Sequence, residues 1–216
     1  MTAMEQDQVL LSDEERDILQ EIMNIAFGQA AADLAEMINV FVVLNVPYIK
    51  VLKAVDLPCY LQDEIVGYET ICMVEQHFWG EFKGSAFLIF PAGAGKELVT
   101  IMGEGQDPHF ESAFVDGMEK ETLMEIGNIL IGACVGKVAE LLADRVTYSP
   151  PRIVVDNHAS NAIPANIFEL DSSAIVLRTV FTFNERAVSG FLFLVTRCES
   201  ISWLRKALAE FMEKYE

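Results

Sequence analysis

A glutamate and an asparagine three residues apart occur twice in this chain, as Glu21 with Asn24 and as Glu125 with Asn128. Each asparagine is followed 23 positions later by a proline, Pro47 and Pro151. All three residues recur at one offset, 104 positions (125 − 21). One such pair on a helix would mean nothing. The same pair twice, each set in an otherwise apolar helix, reads as an internal duplication carrying two copies of one site.

The repeat extends beyond these residues. IMNIAFGQAAADLAEMI (Ile22–Ile38) lies over IGNILIGACVGKVAELL (Ile126–Leu142), and both show helical spacing of apolar residues. Ser12 with Glu15 forms a capping-box pattern at the start of the first helix, and Asp116 with Glu119 marks the expected start of the second. Val40–Leu52 and Arg145–Val155 read as extended. Pro47 and Pro151 place these segments at an edge strand or a strand entrance, because proline cannot donate to a ladder. Tyr68–Phe78 maps onto Ser172–Thr182, and Gly84–Phe90 onto Val188–Leu194. WGEFK and FNERA read as the hairpin turns between them. Gly95–Met102 and Glu199–Tyr215 close the copies as helices, and the turn-rich GEGQDPHFES links the two.

The expected repeats span residues 12–103 and 116–216 of a single domain. Each half supplies about three strands, too few to bury a core alone. The predicted fold class is α/β of the α+β type. Duplicated helix–strand units form one continuous, largely antiparallel sheet with pseudo-twofold symmetry, and the long site-bearing helices pack on it.

With 52% hydrophobic and 22% charged residues, the chain has the composition of a globular protein with a core. Its formal charge of −18 argues against nucleic acid or an anionic membrane as partner, since phosphate contacts need Lys and Arg. Cys59, Cys72, Cys134 and Cys198 form no C-x-x-C pair and read as small core residues in a reducing compartment. The N-terminal MTAMEQDQ has neither a basic nor an apolar region of a signal peptide, and the uncharged runs are short, so a cytoplasmic location is expected. His77, His109 and His158 lie in separate segments without partners at ligand spacing, and no metal is expected. GAGKEL (Gly93–Leu98) lacks the Ser or Thr that follows the lysine of a P-loop, which sets nucleotide binding aside.

On a helix, Asp17, Glu21, Asn24 and Gly28 form one stripe, and Glu121, Glu125, Asn128 and Gly132 form its twin. Asparagine and glycine are both unfavourable in mid-helix, yet both copies keep them. A purely structural role has the glycines admitting close packing within the fold and each asparagine bonding a neighbouring loop. A functional role starts from the amide, which can hold a water with a donor and an acceptor, while an ionised glutamate grips a cation or a partner's lysine. This suits a substrate that carries most of its own catalytic groups, such as an aspartyl-phosphate. Positioning and electrostatics dominate phosphoryl transfer, and a side-chain amide that orients the attacking water is a known device.

The pattern acid-x3-Glu-x2-Asn-x22-Pro, present as Asp17, Glu21, Asn24, Pro47 and as Glu121, Glu125, Asn128, Pro151, resembles the CheC/CheX/FliY phosphatases of bacterial chemotaxis. The resemblance to the CheC type covers nearly the whole chain. CheX-like proteins are shorter with one site, and FliY-like proteins add a flagellar-switch domain. Glu121 departs from the Ser or Asp usual at its position. The resemblance implies that Glu21, Asn24, Glu125 and Asn128 insert into the active site of phosphorylated CheY. Asn would direct a water in line with the phosphorus, and Glu would contact the receiver's lysine. Asp17, Gly28, Pro47, Glu121, Gly132 and Pro151 would support binding. Mg²⁺ would belong to the receiver, and the receptor deamidase CheD is a partner that the family implies for some members. The competing class is a non-catalytic interaction protein, either a CheD-binding adaptor or a flagellar-switch relative.

Overall fold

The computed structural model describes residues 11–38, 41–45, 47–65, 71–91, 93–101, 112–156, 173–183, 188–197 and 200–215. The first half runs α1 (Asp13–Ile38), β1 (Val42–Leu44), β2 (Tyr48–Lys53), α2 (Leu57–Glu64), β3 (Ile71–Trp79), β4 (Gly84–Pro91) and α3 (Ala94–Ile101). The second runs α4 (Ser112–Leu141), β5 (Thr147–Tyr148), β6 (Arg152–Asp156), β7 (Ser173–Phe183), β8 (Val188–Arg197) and α5 (Ile201–Tyr215).

The capping box at the start of α1 is present in both directions. The Ser12 amide donates to Glu15 Oε2 at 2.7 Å, and the Glu15 amide donates to Ser12 Oγ at 3.1 Å. Two amides with no partner inside the helix are thereby satisfied. Arg205 of α5 reaches Glu15 at 3.1 Å, which ties the cap to the C-terminal helix. Along α1, Leu19, Ile22, Met23, Ala26, Phe27, Ala30 and Leu34 are buried at helical spacing. Each of the larger ones contributes about 1.5–3 kcal/mol. The start expected at Asp116 needs correction, because α4 begins at Ser112. Its stretch Gly117–Leu141 is long and apolar enough to cross a membrane by composition, yet it packs on α1, α3 and the sheet. A helix covered on several sides is apolar nearly all round.

Among the described residues, eight strands join one antiparallel sheet, ordered β1-β7-β8-β4-β3-β5, with β2 also on β7 and β6 also on β3. Exchanging first-half strands for their second-half counterparts leaves this order unchanged. The pairing shows the same relation, because Leu88 faces Leu192 across the central β4–β8 ladder and these two lie 104 positions apart. Pro47 and Pro151 directly precede β2 and β6, at the strand entrances where proline is tolerated.

One expected correspondence is off by a residue. Leu88 pairs with Val74, and Leu192 pairs with Thr179, so β3 maps onto β7 at 105 positions (179 − 74). Five residues separate Phe78 from Gly84, but four separate Phe183 from Val188. With one residue fewer between β7 and β8 than between β3 and β4, β7 is displaced by one position, and a one-residue slip reverses which face each side chain takes.

Cys72, Val74, Phe78, Leu177, Phe181 and Phe183 face the core beneath the helices, while Ile71, Met73, Ala174 and Val176 face a second core closed by α2. α2 and the 3-10 turn before it (Ala54–Asp56) are not anticipated by the hydrophobic periodicity. Their signal is Pro58 in the first helical turn, where its missing N–H does no harm. Cys72 and Cys134 are buried as expected, and burial pushes the Cys72 thiol up to about 11 and that of Cys134 further. Cys59 departs from that expectation and is exposed; Cys198, His109 and His158 lie outside the described residues. His77 is structural, with Nδ1 2.8 Å from Ser85 Oγ and Nε2 3.6 Å from Glu75.

Ser12→Ala removes one half of the cap, and a loss of about 1 kcal/mol is expected in denaturant unfolding. The glycines separate into two kinds. A methyl group at Gly127 would sit 2.7 Å from Val74 Cγ1, whereas one at Gly28 or Gly132 would meet nothing within 4 Å. Gly127→Ala is therefore expected to destabilise by about 1–3 kcal/mol. Gly28→Ala and Gly132→Ala should each stabilise by up to about 1 kcal/mol. Urea midpoints for the three variants check both signs.

Candidate functional site

Both stripes lie on the outer faces of their helices. Asp17, Glu21, Asn24 and Gly28 are exposed on α1; Glu121, Glu125 and Asn128 are exposed on α4, with Gly132 half-buried. The residues between them turn inward, Ile22 and Met23 in one helix and Ile126 and Gly127 in the other. Each stripe stays on its own helix, and no described contact joins the two. The fold thus presents two separate acid–amide surfaces rather than one composite pocket.

The glycines do not serve close packing within the fold, which corrects the structural role considered for them. Gly28 and Gly132 leave open space above their helices. The residue that brings a helix against the sheet is Gly127, pressed on Val74 of β3.

The proline-bearing segments are fastened beside both stripes by different residues. In the first half Gln20, next to Glu21, donates from Nε2 to the Pro47 carbonyl at 3.1 Å. Thr179 Oγ1 donates to the Asn45 carbonyl, and the Asn45 amide donates to the Val180 carbonyl at 3.0 Å. In the second half Ser149 is clamped to β3. Its amide donates to the His77 carbonyl at 2.9 Å, and its Oγ accepts from the His77 amide at 3.0 Å. Tyr148 Oη donates to the Gly132 carbonyl at 3.3 Å. Burial, followed by the neighbouring Cys134, pushes the Tyr148 hydroxyl up to about 12, so it remains a donor at neutral pH.

The two asparagines differ. Gln76, on the helix-facing side of β3 and 2% exposed, donates from Nε2 to Asn128 Oδ1 at 2.8 Å and to the Ser149 carbonyl at 2.9 Å. Its own Oε1 is buried without a hydrogen-bond partner. An orphaned acceptor of that kind costs about 1–3 kcal/mol. Asn24 has no hydrogen bond from its side chain to any described residue. The structural expectation that each asparagine bonds a neighbouring loop therefore fails for Asn24, and Asn128 bonds a strand residue instead. Gln76, Gln20, Ser149 and Tyr148 are absent from the residues that the repeat picks out. Only Gln76 leaves a sequence signal, a polar residue inside the buried run ICMVEQHFW.

Acidic groups dominate the surface of both stripes. Among the described residues no group of three or more His, Cys, Asp or Glu is placed to hold a metal ion. What the arrangement offers chemically is an amide beside a carboxylate, twice, each one helical turn from an open glycine.

A family model described as CheC-like matches residues 14–50, the segment holding the first stripe and Pro47. The CheY-P phosphatase CheC of Bacillus subtilis (strain 168) is 26% identical over 203 residues, covering 92% of this chain and 95% of that protein. The flagellar motor switch phosphatase FliY of the same organism is 22% identical over 201 residues, covering 84% of this chain and 50% of FliY. Among solved structures, Thermotoga maritima FliY superposes with a TM-score of 0.67 at 17% identity, over 93% of this chain and 98% of that one. The FliM middle domain from H. pylori superposes with a TM-score of 0.52 at 12% identity, over 91% and 99%. The two structural matches establish a shared fold. Together with the near end-to-end match to CheC and the family model over the first stripe, they show that this chain is similar to the CheC-type proteins in sequence and in fold.

Proposed function

We propose that this protein is an aspartyl-phosphate phosphatase acting in the cytoplasm on a phosphorylated CheY-like receiver. The observation that carries the proposal is the repeated Glu/Asn pair, exposed on both α1 and α4 in a chain whose relatives bear that activity in their names. Exposure suits a site that must enter another protein's active site.

In each site the asparagine amide holds a water against the phosphorus. The water oxygen forms the new P–O bond as the bond to the aspartyl oxygen breaks. The carboxylate leaves, and the water's proton goes to the departing phosphate. The transition state is loose, so holding the water in line supplies most of what this chain adds. Glu21 and Glu125 dock on the receiver's lysine. Gly28 and Gly132, one turn on, leave room for the receiver's backbone. Mg²⁺ travels with the receiver.

Removing one such amide should cost about 3 kcal/mol of transition-state stabilisation at its site, by analogy with loss of a preorganised polar group. Asn24→Ala or Asn128→Ala alone leaves what the other site supplies. The double variant is expected to lose stimulated phosphate release, to keep its fold, and to keep most of its binding to the receiver through Glu21 and Glu125. Wild-type phosphate release from the double variant would hand the case to a non-catalytic role, as an adaptor or a switch relative. Gly28→Ala combined with Gly132→Ala should fold at least as stably and yet lose activity by raising the half-saturating receiver concentration; unchanged kinetics would show that nothing approaches those faces closely.

A further inference from the structure

The two asparagines share a sequence context but not a physical one. The Ser149 carbonyl can only accept a hydrogen bond, so the Gln76 atom 2.9 Å from it is the amide nitrogen. The other N–H of that nitrogen points at Asn128 from 2.8 Å, and only Oδ1 can receive it. A main-chain carbonyl, whose identity admits no exchange of N for O, thus sets the orientation of two side-chain amides in series. Asn128 is left with its oxygen turned toward β3 and its NH2 toward the exposed face.

Ser149 cannot drift and release this chain of bonds, because two hydrogen bonds with the His77 backbone hold it on β3. Gln76 itself is used solely as a double donor, with its oxygen buried and unpartnered. In the other half, the strand position corresponding to Gln76 at the 105-residue shift is Phe181, fully buried and packed edge-on against Phe90 and Phe183. A phenyl ring offers Asn24 no comparable donor.

We propose that Gln76 is a positioning residue that locks the Asn128 amide with its NH2 outward, making the α4 site preset while the α1 site orders its amide only on docking. This rests on the phosphatase reading of both sites and deepens it. At the α4 site the amide holds the water by donating to the water's oxygen, leaving a second lone pair free for phosphorus. The α1 site must immobilise Asn24 each time a receiver docks, which lowers its rate relative to its twin.

The test has a kinetic arm and an arm independent of activity. In the Asn24→Ala protein, Gln76→Leu should lower the dephosphorylation rate at saturating phosphorylated receiver by about tenfold, the upper range for freeing one rotamer-rich side chain, with half-saturation unchanged. Gln76→Glu, equal in size but without N–H groups, should do the same. In the Asn128→Ala protein either change at position 76 should have no further effect, so a general loss of fold would show itself by affecting both backgrounds alike. Nitrogen-15 relaxation of the side-chain amides in the free full-length protein should find Asn128 nearly as rigid as backbone, at an order parameter of about 0.85, and Asn24 well below it. Gln76→Leu should release Asn128. An Asn128 amide that is mobile in the unaltered protein, or that stays rigid after Gln76→Leu, overturns the proposal. Activity in the Asn24→Ala/Asn128→Ala protein would instead overturn the phosphatase reading, and the relaxation arm would still report on the lock.

Discussion

The ladder between β4 and β8 is the contact on which the rest of the molecule depends. It joins the halves into one sheet, and Leu88 facing Leu192 marks the axis that relates them. The outer strands then cross over. β1 and β2 of the first half pair with β7 of the second, and β5 and β6 of the second pair with β3 of the first. Neither half therefore completes its own sheet, and neither could bury its apolar faces alone. The helices obey the same axis. Asp33 of α1 and Lys137 of α4, 104 positions apart, meet at 3.2 Å. Positions that face their own counterparts would repel if both carried the same charge, and here they carry opposite ones.

The same arrangement explains which features are legible in the residues. The capping box, the helix faces and the strand segments depend on local spacing, so they can be read directly, and the prolines mark the entrances of β2 and β6. The 105-residue relation of β3 to β7 cannot be read that way. It arises from one residue fewer between β7 and β8 than between β3 and β4, and both strands are apolar on both faces because helices cover one side of the sheet and α2 helps cover the other. Period-two alternation is lost in strands of that kind, and register with it. α2 is short and its pattern weak, so Pro58 alone announces it.

The polar support around the stripes is illegible for a related reason. Glu21, Asn24, Glu125 and Asn128 stand out because they recur. Gln76 and Gln20 do not recur, since each solves the local problem of one half. Fastening the Pro47 segment falls to Gln20 on the helix itself, whereas Ser149 is held from the strand by Gln76 and His77. Repetition identifies what two sites share and is blind to what distinguishes them.

The difference between the sites has a steric origin one residue from the asparagine. Gly127 has no side chain to hold α4 off β3, and the helix settles where even a methyl group would strike Val74. Gln76 lies two residues along β3 from Val74, on the same face, and Asn128 follows Gly127 directly. Close approach at the glycine thus carries the asparagine within reach of the glutamine. The residue 104 positions before Gly127 is Met23, fully buried in α1. A long side chain there acts as a spacer, and α1 makes its main sheet contacts with β1 and β2. The position corresponding to Gln76 can then be filled by Phe181 as part of the core. One small residue in place of a large one lets a helix descend, and the descent converts an apolar core position into a place for a hydrogen-bonded amide.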